Sequence, residues 1–167
     1  IDSEANAMGQ GPAFNFDASL GDDLDHDAGI VPSANIGNFV WIDNDADGIQ
    51  DFGEPGISNV SVTLYDDATG LAVATVLTDA NGMYLFENVL AGNYHVEFDV
   101  AGSGIGMSQF TEAGNGNGAN DSEADANGVS PGFVFDPTTG DDLTHDAGVI
   151  LVEGIGNFVW IDTNGDG

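Results

Sequence analysis

Residues 38–66 read NFVWIDNDADGIQDFGEPGISNVSVTLYD, and the parsing of this stretch decides the fold. Two strand-like runs flank an acidic loop. In the second run Val60, Val62 and Leu64 alternate with Ser61, Thr63 and Tyr65, as in a strand with one buried face. In the first, Phe39 and Trp41 share one parity. Between them DNDADGIQDFGE (43–54) packs five carboxylates into twelve residues, and Pro55-Gly56 then forbids an exiting helix.

Nothing in the chain neutralises that loop. The 167 residues hold 29 Asp and Glu and no Lys or Arg, a formal charge of -29. Two carboxylates ~5 Å apart repel by roughly 1–3 kcal/mol at effective dielectrics between water and a protein surface. Such a field excludes nucleic acid and anionic membranes as partners and attracts cations. A 41% apolar content with ten Phe supports a core, so this is no disordered acidic tail. No apolar run approaches membrane length. Without cysteine no disulfide can form, but metal can staple a secreted domain instead.

The loop fits D-x-[DN]-x-[DN]-G-x5-E at every fixed position. Asp43, Asp45 and Asp47 supply oxygens at positions 1, 3 and 5, and Gly48 makes the sharp turn. Ile49 offers its backbone carbonyl, Asp51 binds directly or through water, and Glu54 closes the shell. Ca²⁺ suits this set, being a hard ion that takes six to eight oxygens in irregular geometry. The alternative is an acidic surface turn that binds nothing specific. Because the preceding segment reads as strand, this is a calcium loop between strands and not an EF-hand.

Further strand signals lie at Tyr84 and Phe86, at Tyr94, Val96 and Phe98, at Phe133 and Phe135, and at Leu143, Ala147 and Val149. Turns are marked by Ala68-Thr69-Gly70, Asp79-Ala80-Asn81-Gly82 and Ala91-Gly92-Asn93. About seven short strands without helical periodicity predict an all-β sandwich. The Gly- and Asn-rich residues 101–131 read as a long irregular loop with no core of its own.

The end of the chain repeats its beginning. SEANAMGQGPAFNFDASLGDDLDHDAGI from Ser3 matches SEADANGVSPGFVFDPTTGDDLTHDAGV from Ser122, and IGNFVWIDNDADG from Ile36 matches IGNFVWIDTNGDG from Ile155. One offset of 119 residues aligns both pairs without a gap. The expected organisation is the closing part of one repeat at 1–32, a complete repeat at 33–151 and the start of a third at 152–167. The chain opens at Ile1 and not Met, as an excerpt of a longer array would.

NFVWIDNDADGIQDFGEPGISNVSVTLYD, TDANGMYLFENVLAGNYHVEF, and DSEAD followed by GDDLTHDAG resemble the B-type repeats of serine-aspartate-repeat surface adhesins, relatives of the collagen-adhesin B domain. The resemblance implies a prealbumin-like or reversed-immunoglobulin sandwich, Ca²⁺ at Asp43, Asp45, Asp47, Ile49 and Glu54, and a stalk role at the cell surface. Position 3, usually Asn in that family, is Asp45 here, and Asn164 restores it in the next copy. A Lys–Asn isopeptide bond, found in some related domains, has no Lys to form it.

The same resemblance suggests further calcium sites near Asp121, Glu123 and Asp125 and near Asp141, Asp142 and Asp146, where a solvated acidic edge is the plain alternative. Asp162, Asn164 and Asp166 begin another copy of the loop. His26 and His145 occupy one repeat position, and His95 stands apart. None has metal-ligand spacing within a repeat, and no catalytic constellation is legible. The chain therefore reads as a calcium-binding structural repeat that contacts neighbouring repeats in a fibre. The rivals are an adhesin module that grips a host or carbohydrate ligand, and an accessory domain of an extracellular hydrolase.

Overall fold

The computed structural model describes residues 6, 10–13, 28–112, 118 and 120–152. The chain divides into two compact units, 1–32 and 33–167. In the first unit Asn6 and Gln10 close a small turn, Asn6 N–H donating to the Gln10 carbonyl at 2.9 Å and Gln10 N–H to Asn6 Oδ1 at 3.0 Å.

The second unit is all-β. Among the described residues its strands are β1 (Ala34–Ile42), β2 (Ser61–Asp66), β3 (Leu71–Leu77), β4 (Met83–Val89), β5 (Gly92–Asp99), β6 (Ser108–Phe110), β7 (Phe133–Phe135) and β8 (Ala147–Leu151). They form two four-stranded sheets, ordered β4-β1-β8-β6 and β3-β2-β5-β7. The inward residues of each alternating strand meet between the sheets: Ile36 and Val40, Val62 and Leu64, Tyr84 and Phe86, Val96 and Phe98, Ala147 and Val149. Tyr84 sits edge-on to both Phe86 and Phe98, with ring centroids 5.6 and 5.8 Å away.

β1 carries the site. It pairs antiparallel with β4 and parallel with β8, Val40, Trp41 and Ile42 lying opposite Ala147, Gly148 and Val149. After the acidic loop the chain returns beside β1: Ile42 N–H donates to Pro55 O, and Ile57 N–H to Val40 O, both at 2.8 Å. This return requires glycine at Gly82, whose φ is +86° and whose added Cβ would lie 2.3 Å from Val40 O and 2.7 Å from Gly56 Cα. Trp41 is fully buried on the side of β1 away from the core cluster, beside Thr111 and Gly148.

Two elements differ from the sequence reading. β3 (LAVATVL) is an edge strand whose outward Leu71, Val73 and Leu77 are exposed, so it shows no alternation to detect. Residues 101–131 are not devoid of core. Their segment includes β6, buries Ala124 and Ser122 completely and packs Phe110 against the core.

Candidate metal centre

Asp43 immediately follows β1 and is only 1% exposed. Its Oδ1 accepts from Ala46 N–H at 2.7 Å and its Oδ2 from Gly48 N–H at 2.9 Å. The chain therefore wraps around one carboxylate, with Ala46 and Gly48 at positive φ. Asp47 Oδ1 accepts from Ile49 N–H at 2.8 Å. One carboxylate oxygen from each of Asp43, Asp45 and Asp47 lies within 4.8 Å of the others. Partial desolvation, followed by the charges of Asp47, Asp43 and Asp51, holds the Asp45 carboxyl above its ordinary value.

Glu54 reaches back across the loop, Oε1 accepting from Asn44 N–H at 2.7 Å and Oε2 from Asp51 N–H at 3.0 Å. It closes the loop through backbone and stands outside the carboxylate trio, while Asp51 is exposed. Three converging carboxylate oxygens on a chain without Lys or Arg fit a hard divalent cation.

The sequence did not disclose what holds the loop's second half. Gln50 N–H donates to Asn120 O at 2.7 Å, and Ser122 N–H to Gly48 O at 3.0 Å, placing Ile49 opposite Asp121 in an antiparallel bridge. Buried Asp121 accepts from Gly118 N–H. These partners lie 70 to 74 positions apart in the chain, and no local pattern announces such a pairing.

The remaining candidates divide. Glu123 and the fully buried Asp146 are joined: Glu123 N–H donates to Asp146 O at 2.9 Å, and Asp146 N–H to Glu123 Oε2 at 2.6 Å. Asp146 also accepts from Phe39 N–H at 2.9 Å and Asn38 Nδ2 at 3.0 Å. Burial pushes Glu123 up to about 8 and Asp146 to about 7, with the Asp121 charge adding to both. Asp125 instead caps a turn by accepting from Asn127 and Val129 N–H, which lowers its pKa. Asp141 holds Asn35 at the start of β1. Asp142 bonds Thr144 Oγ1 and lies 3.2 Å from His145 Nε2.

His145 is buried, stacked on Phe133 with centroids 3.8 Å apart; burial lowers its pKa against the opposing effect of Asp142. His95 pairs with Asp67 on an outer face. His26, Asp162, Asn164 and Asp166 lie outside the described residues.

Comparison with known proteins fits this architecture. Over 150 residues, 87% of this chain and 12% of the relative, it is 37% identical to serine-aspartate repeat-containing protein E of Staphylococcus aureus strain MSSA476. Over 149 residues, 87% of this chain and 11% of the relative, it is 40% identical to serine-aspartate repeat-containing protein D of strain Newman. The chain thus spans about a tenth of the length of these relatives. The family model described as SdrD B-like domain matches residues 34–149, so the two-sheet unit with its acidic loop belongs to the SdrD B-like domain family.

Proposed function

We propose that this chain is a calcium-stiffened structural repeat of a cell-surface stalk. The observation that carries the reading is the convergence of Asp43, Asp45 and Asp47 in a chain without Lys or Arg. Ca²⁺ held there, with the Ile49 carbonyl and Glu54 completing the set, offsets their repulsion. It binds the folded loop and not the unfolded chain, so it stabilises the fold by linkage, roughly 2.7 kcal/mol per site at 100-fold over the dissociation constant. The pairing of the loop with Asn120–Ser122 extends that stiffening to the far end of the Gly-rich segment.

Modules repeat every 119 residues, with 33–151 as the complete unit, and abut because the joins VPSAN and LVEG are only a few residues long. Localisation is extracellular, as in the serine-aspartate-repeat surface family. No helix among the described residues is long and apolar enough to cross a membrane. The family is one of structural adhesin repeats and not of enzymes, and we assign no catalytic role.

Thermal unfolding with Ca²⁺ and with excess chelator tests the metal reading. The melting temperature should fall by roughly 10 °C on chelation, and Asp43→Ala with Glu54→Ala should abolish the difference. Coincident curves for the unaltered chain would overturn it.

A further inference from the structure

We propose that the outer face of the β3-β2-β5-β7 sheet docks an extended partner segment, from outside these 167 residues, carrying Lys or Arg at alternate positions. This face holds a cleft of about 740 Å³. Its floor is formed by the outward residues Thr63 and Tyr65 of β2 and Glu97 and Asp99 of β5, and Met107 and Phe110 line it from the 100–110 segment. It lies apart from the acidic loop and serves no part of the proposed calcium function.

Three features select the occupant. Glu97 and Asp99 are two residues apart on one strand and project to one side, about 7 Å apart, which is also the spacing of alternate side chains in an extended peptide. They are available: Asp99 uses Oδ1 on Ala101 N–H, and Glu97 Oε1 is 3.7 Å from His95 Nε2. Tyr65 is stacked on His95, with ring centroids 5.1 Å apart and planes within 6°, while Asp67 holds the imidazole. The ring is a fixed aromatic surface for a cationic head. Met107, 70% exposed, and Phe110 offer an apolar wall for the aliphatic stems of Lys or Arg. Because these 167 residues contain no Lys or Arg, the complementary charges must come from a partner segment outside them and not from a second copy of this repeat.

The test uses the 167-residue chain in calcium-containing buffer at physiological ionic strength. A labelled peptide alternating lysine with valine is compared with an isomer of the same composition whose lysines are contiguous. The alternating peptide should bind more tightly. Glu97→Gln with Asp99→Asn should weaken it roughly tenfold, the effect of two ion pairs at a partly exposed surface. Glu87→Gln with Glu112→Gln removes the same charge elsewhere and should change binding by less than about twofold. Amide shifts on titrating the unaltered chain should centre on Thr63, Tyr65, Glu97 and Asp99, a readout independent of whether the variants fold. Equal binding of both peptides, equal loss in both double variants, shifts centred elsewhere, or no binding would each overturn the proposal.

Discussion

At Glu123 a single carboxyl sets a pH response. Its folded value of about 8 exceeds the ordinary 4.5, as that of Asp146, about 7, exceeds 3.8. The folded state therefore binds more protons than the unfolded chain between about pH 4 and 8, and the calcium-free fold loses stability as pH rises through that window. Glu123→Gln retains an oxygen for Asp146 N–H and removes the charge. After allowance for partial exposure, it should add on the order of 2 kcal/mol at pH 8 and almost nothing at pH 4, as read by denaturant unfolding in chelator. Asp79, Asp125 and Asp136 act oppositely. Hydrogen bonds lower their carboxyls, so their contribution is present above the unfolded value and lost as pH falls through the folded one. Gly148 is a steric counterpart. An added Cβ would lie 2.6 Å from Thr111 Cγ2 and 3.0 Å from Trp41 Cζ2, so Gly148→Ala should cost about 2 kcal/mol or more in the same assay.

At the scale of elements, the acidic loop and the 118–130 segment should loosen together. Asp43→Ala removes the acceptor that Ala46 and Gly48 N–H share, and through Gly48 and Gln50 it reaches Asn120–Ser122. Amide exchange at Gln50 and Ser122 should accelerate in parallel when calcium is withdrawn, and a glutamate-directed protease should cut the calcium-free chain faster. Unchanged exchange at Ser122 would show the two segments to be independent. Trypsin has no Lys or Arg to cut at in either state. Strands β2, β4 and β5 were legible because one face of each is buried and the other wet, which produces alternation. β3 was not, because an edge strand with exposed Leu71, Val73 and Leu77 lacks that contrast. The carboxylates 43, 45 and 47 were legible because their spacing is local. The bridge of Asp121 to Ile49 and the joining of Glu123 to Asp146 are tertiary pairings, and the Gly- and Asn-rich composition around them concealed a buried Ala124.

For the molecule as a whole, the parallel pairing of β1 with β8 has a mechanical meaning. Among the described residues, these strands open and close the two sheets at Ala34 and Leu151. Parallel neighbours pulled by the start of one and the end of the other slide past each other along their length. Tension between Ala34 and Leu151 therefore loads the backbone bonds of the Val40–Ile42 and Ala147–Val149 ladder, and the Asp43 N–H to Val149 O bond at 3.0 Å, all at once, in shear. An antiparallel hairpin pulled from its open end would peel one bond at a time. In single-molecule pulling the unit should resist from these two points with a markedly higher rupture force than when gripped at Leu71 and Val89, the start of edge strand β3 and the end of edge strand β4. In a stalk built this way, β1 and β8 form a clasp whose bonds share the load along the direction of pull.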